Sequence, residues 1–143
     1  MLTAHKNGQP TKTLEFLNMV VAQRPKISVI LDVGAQILDV SNHGLVQEWL
    51  NLSVSGTAGA IYFDYWDELM VLTRNGKSQP LRTSPLAHQL DRCVIYLDDA
   101  HTRGTDLKFP KGFRAAVTLG PKVTKDRLVQ GIVVIPRIDE TAS

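Results

Sequence analysis

Thiol chemistry has little material to work with in this chain. Cys93 is its only cysteine, which excludes an internal disulfide and a cysteine zinc cluster. Such usage suits a reducing compartment, so the expected location is cytoplasmic or nuclear and not secreted. No apolar stretch approaches the roughly 18–20 residues of a membrane-spanning helix. The polar start, residues 1–10 (MLTAHKNGQP), has no apolar signal-peptide core. Charge of one sign is missing too. Sixteen Lys and Arg are scattered among fourteen Asp and Glu, and the formal net charge is +2, which gives no electrostatic case for nucleic acid or a membrane. The four histidines, His5, His43, His88 and His101, show no two-ligand helical spacing, so no metal site or cofactor is expected.

What is present can bury a core. The chain has 143 residues, 43% of them apolar and 21% charged, which suits one globular domain. Residues 11–24 (TKTLEFLNMVVAQR) place Leu14, Leu17, Val20 and Val21 at helical spacing, with Thr11 or Thr13 as cap and Pro25 as stop. Residues 27–33 (ISVILDV) read as a buried strand ending at Gly34. Asn42 then caps a second helix with Leu45, Val46, Trp49 and Leu50 on one face. Residues 60–65 and Leu69–Thr73 read as strands, followed by a tight turn at Asn75-Gly76. A short helical segment is expected at 85–91, a buried strand at Cys93–Leu97, and a long polar loop at 98–112. A strand at 115–119 and a capped helix from Thr124 to Gln130 complete the pattern. Strands alternating with helices imply an α/β fold: a mostly parallel sheet flanked by helices, with a β-hairpin insertion around 60–82.

Ligands of such sheets gather at the carboxyl ends of strands, so the loop after Leu97 is the place to seek chemistry. Asp98-Asp99-Ala100-His101 there resembles the acidic magnesium motif of nucleoside-triphosphatases, which needs a phosphate loop as partner. Gly76-Lys77-Ser78 cannot serve: the position five before Gly76 is Val71, and no helix follows. Two adjacent aspartates at a strand end are more often a solvated turn. Cys93 is a candidate nucleophile with His101 or His88 as base, a pairing that requires contact at about 3–4 Å. An extended 93–99 segment holds Cys93 and His101 about 20–25 Å apart at about 3.3 Å per residue. His88, before the strand, could fold back. The alternative is a small buried apolar cysteine. Trp49 and Trp66 are expected as core or interface aromatics.

Residues 96–108 (YLDDAHTRGTDLK) and 116–130 (AVTLGPKVTKDRLVQ), with Asp32-Val33-Gly34-Ala35, resemble a segment of very large, mostly fungal proteins built from domains of unknown function. Members of that family are described as ubiquitin thioesterases, that is, cysteine-type ubiquitinyl hydrolases. The likeness spans about Ile27 to Gln130. It implies a fragment of such a hydrolase, inactive alone, in which Cys93 with His101 or His88 would supply thiol and base. Thiolate attack on an isopeptide carbonyl would give a thioester that water resolves. The partners implied are ubiquitin or a ubiquitinated protein and the remaining domains of the parent.

Arg103-Gly104-Thr105-Asp106 after a buried strand is similar, more distantly, to a loop in the second lobe of superfamily-two helicases. That likeness implies nucleotide-linked or partner binding through Asp98, Asp99, Arg103, Gly104, Thr105 and Asp106, without catalysis. The pattern departs after Gln130. Where such lobes continue a helix with arginines, residues 131–136 read GIVVIP; only Arg127 lies in the expected helix and Arg137 falls beyond Pro136. The expected organisation is a polar extension at 1–10, an incomplete α/β domain at 11–130 and a divergent tail at 131–143.

Overall fold

The structure is a computed structural model that describes residues 12–33, 37, 40–53, 56–102, 109 and 112–118, with the backbone of 132–138. The expected helix at 124–130, the 1–10 extension and the Arg103-Gly104-Thr105-Asp106 loop lie outside the described residues.

The fold is α/β, built on a mixed seven-stranded sheet of order β4-β3-β2-β5-β1-β6-β7. The strands are β1 (Val29–Leu31), β2 (Gly59–Phe63), β3 (Leu69–Thr73), β4 (Ser78–Pro80), β5 (Cys93–Leu97), β6 (Phe113–Thr118) and β7 (Ile132–Ile138). The four central strands, β2-β5-β1-β6, are parallel. The outer pairings β4-β3, β3-β2 and β6-β7 are antiparallel. The sheet is therefore mixed and not mostly parallel. The segment read as a hairpin insertion contributes β2 to the parallel centre, because Gly59, Ala60 and Ile61 pair with Cys93, Val94 and Ile95. The 132–138 stretch of the expected tail forms an edge strand on β6, and Arg137 lies in it. Its β-branched run suits a strand better than a helix.

Both α-helices of the described residues, α1 (Lys12–Val21) and α2 (Asn42–Leu52), pack on one face of the sheet. Alternation along the strands sends Ile30, Ala60, Tyr62, Leu72, Val94 and Tyr96 to that face. In α2 the expected face, Leu45, Val46, Trp49 and Leu50, is buried. In α1 the buried set is Thr13, Phe16, Leu17 and Val20, which rotates the seam away from Leu14 and Val21. Ser41, not Asn42, caps α2 by accepting from the Gly44 N–H at 3.0 Å. On the opposite face Val29, Ile61, Val71, Cys93, Ile95 and Leu97 pack under Leu81 and Leu86 from short 3-10 turns at 81–88. Covering on both faces explains why all five residues of β5 are buried.

The edges of the sheet differ in charge. At the amino ends of the parallel strands lie Arg24 and Lys26 before β1, Arg92 before β5, and Arg114 at the start of β6. The antiparallel β3-β4 hairpin adds Arg74 and Lys77 to that edge, and Asp91 is the acidic exception. Among the described residues the carboxyl edge gathers Asp32, Asp64, Asp67, Glu68, Asp98 and Asp99, with Arg82 as the basic exception through its 3.3 Å contact to Glu68. The charges of the described residues, mixed along the sequence, are thus sorted by the fold.

Close packing at the start of β2 is testable. A Cβ on Gly59 would stand 2.9 Å from Leu86 Cδ1, 3.0 Å from Val71 Cγ2 and 3.1 Å from the Leu72 carbonyl oxygen. That oxygen belongs to the paired strand and cannot step aside. Gly59→Ala is expected to lower stability by about 1–3 kcal/mol. Gly56→Ala, which meets nothing within 4 Å, should change it by less than about 0.5 kcal/mol. Urea midpoints of the two variants check both values.

Candidate functional site

The parallel centre directs the ends of β1 and β5 to one edge, where the Asp32 N–H donates to the Leu97 carbonyl at 2.9 Å. Just beyond Leu97, a 3-10 turn at Asp99–His101 brings the His101 N–H to the Asp98 carbonyl at 2.9 Å. This turn folds the imidazole back over the sheet edge. His101 stacks on Phe63 at the end of β2, with ring centroids 3.8 Å apart and planes 7° from parallel.

Two carboxylates hold the ring in place. His101 Nδ1 lies 2.5 Å from Asp98 Oδ1, and Nε2 lies 2.9 Å from Asp67 Oδ1. A protonated imidazole donates to both at once, whereas a neutral ring donates to only one. Asn42, expected as a helix cap, serves here instead. Its side-chain amide donates to Asp98 Oδ2 at 3.0 Å and to the Phe63 carbonyl at 2.9 Å. One cluster thereby ties together α2, β2, the β2-β3 turn and the segment after β5.

Asp67 reaches His101 because the β2-β3 turn is rigidly built. Asp64 Oδ1 accepts from the N–H groups of Trp66 and Glu68, each at 2.9 Å. The Asp64 N–H also donates to the Glu68 carbonyl at 2.9 Å. Asp67 itself has φ 63°, a left-handed conformation that Asp tolerates better than most side chains.

Asp32, the first of the resemblance landmarks, is 2% exposed. It accepts from Thr118 Oγ1 at 2.5 Å and from the Ile37 N–H at 3.1 Å, so its carboxylate joins the ends of β1 and β6. Burial, with the charges of Asp32, Asp98 and Asp99 adding to it, pushes the Tyr96 phenol well above its ordinary range. That ring stays protonated at any physiological pH.

Cys93 occupies the opposite end of β5. It is fully buried, and its Sγ lies 3.8 Å from the Gln89 carbonyl. Burial pushes the thiol up to about 11, with Asp91 adding to the rise and the nearby Arg92 and Lys26 opposing it. Four strand steps, about 13 Å, separate Cys93 from Leu97, and His101 lies beyond that. His88 is exposed while Cys93 is sealed within the sheet. The fold brings Asp98 and His101 together and sets Cys93 at the far end of β5 from His101. Asp99 is exposed beside the cluster. Sequence reasoning missed Asp67, Phe63 and the bracing role of Asn42, since the first two reach the cluster through the register of β2 against β3 and β5 and Asn42 through the packing of α2 beside them. Asp in a Trp-Asp-Glu turn was the one local signal available for Asp67. Among the described residues no group of three or more His, Cys, Asp or Glu could hold a metal ion.

The thiol's environment fixes a pH dependence. In the folded chain Cys93 holds its proton to about 11, whereas its ordinary value is 9.0. The folded pKa is the higher, so this stabilising contribution is full below about 9 and is lost as pH rises toward about 11. Between those values the native chain should lose stability more steeply than Cys93→Ala, as read by urea unfolding at a series of pH values. No family model matches the chain, and comparison with curated proteins and with solved structures finds no match either.

Proposed function

We propose that this chain is a non-catalytic binding lobe of the helicase-like kind, which engages a partner through the carboxyl edge of its sheet. The observation that carries the reading is the cluster of Asn42, Asp67, Asp98 and His101, braced from three separate elements at the end of parallel strands. Side chains locked by mutual hydrogen bonds present a preorganised surface, which lowers the entropy cost of binding. The ubiquitinyl hydrolase resemblance enters this reading as recognition: ubiquitin, a ubiquitinated protein or the other domains of a larger parent are the partner classes it implies.

Cleavage ranks below binding because thiol catalysis needs a thiolate beside a base. Cys93 is buried, held protonated to about 11, and set at the far end of the strand from His101. A second reading, nucleotide-linked sensing by Arg103 and Asp106, draws support from their place in the sequence shortly after β5, whose carboxyl end lies at this edge. The carboxylates of the same edge disfavour a polyphosphate there.

A ubiquitin-derived electrophile tests the absence of catalysis. The native chain, shown to be folded, is expected to form no adduct at neutral pH. An adduct that disappears in Cys93→Ala would overturn the proposal and restore the hydrolase. Titration with a fluorescent ADP analogue tests the second reading: saturable binding lost in Arg103→Ala would move nucleotide sensing to first place, and no binding leaves partner recognition there.

A further inference from the structure

Two aromatic side chains sit at the tip of the β2-β3 turn in contact with solvent: Tyr65 is 89% and Trp66 79% exposed. Their rings meet edge to face at 5.3 Å. The contrast with the other tryptophan is sharp, since Trp49 is 1% exposed in the core beneath α2. The tip is stiff, because Asp64 accepts from two backbone N–H groups of the turn and Asp67 is braced by His101. Large rigid aromatics presented this way match the composition of interface hot spots.

Charge identifies the occupant. Asp64, Asp67 and Glu68 border the aromatic pair within the turn, and Asp98 and Asp99 stand behind it across the cluster. Among the described residues Arg82 offsets part of this charge and leaves the tip anionic. An indole or phenol face beside carboxylates favours a planar cation that can stack on the ring and donate bidentate hydrogen bonds. Guanidinium meets both demands, and ammonium meets only the first.

We propose that the β2-β3 turn is a docking site for a basic, arginine-bearing peptide segment of a partner protein, held by Trp66 and Tyr65 and by the carboxylates of Asp67 and Glu68. The inference rests on the carboxyl edge being a binding surface and names the chemistry of what it binds.

The test is fluorescence anisotropy of a labelled decapeptide of alternating Arg and Gly, titrated with the full chain, beside a matched Glu-Gly peptide. Saturable binding of the arginine peptide alone is expected, weakening as salt is raised. Trp66→Ala should weaken it at least tenfold and Trp66→Phe by less. In Trp66→Ala the remaining indole, Trp49, reports by its blue-shifted emission that the core is intact. Equal binding of both peptides, no saturable binding, or native affinity in Trp66→Ala would overturn the proposal. Absence of peptide binding with no ubiquitin adduct removes this docking site and leaves the non-catalytic reading standing. A Cys93-dependent adduct with peptide binding retained does the reverse.

Discussion

The structure depends on the enclosure of β5 between two parallel neighbours and two apolar layers. Val94 and Tyr96 face the helices, while Cys93, Ile95 and Leu97 face the 3-10 turns. β1 and β2 flank the strand on either side. A strand with no free face or edge leaves only its two ends for chemistry, and the two ends meet different surroundings. At the amino end the chain enters from packed turns and the thiol is sealed. At the carboxyl end it breaks into a polar turn, where Asp98 and His101 emerge beside the ends of β1 and β2. The separation of thiol from imidazole follows from that enclosure.

The carboxyl-edge cluster shows how a site can be built from unremarkable parts. None of Asn42, Phe63 or Asp67 carries a motif. What unites them is register: Phe63 opposite Leu69 closes β2 against β3 and fixes where the turn projects. The parallel pairing of β2 with β5 then sets how far His101 lies from Phe63. The hydrogen bonds of Asp98, satisfied by Asn42 on one oxygen and His101 on the other, explain how a partly buried carboxylate is accommodated there.

Much of the secondary structure was legible because local patterning determined it. Cys93–Leu97 is a run of apolar and β-branched residues and forms β5 with those bounds, and the buried face of α2 follows the spacing of Leu45, Val46, Trp49 and Leu50. Sheet order was not legible. No local property of Gly59 to Phe63 tells a strand parallel to β5 from one arm of a detached hairpin; that depends on a crossover through α2. The cap of α2 lies one residue before the expected Asn42: Ser41 and Asn42 are both suitable residue types, and the Asn42 side chain is engaged with Asp98. The candidate site was half legible. Position at a strand end pointed to Asp98 and His101, while Asp67 lies 34 residues from its histidine in sequence and only tertiary pairing joins them.

The sorting of charge between the two edges has a kinetic meaning that the small net charge conceals. Among the described residues, cations at one end and carboxylates at the other form a dipole along the strands. Such a dipole exerts a torque on an approaching charged body before contact, turning the anionic edge toward a cation and the basic edge toward an anion. The influence extends over about a Debye length, roughly 8 Å at physiological ionic strength. A chain that is nearly neutral overall can therefore still select the orientation in which encounters begin.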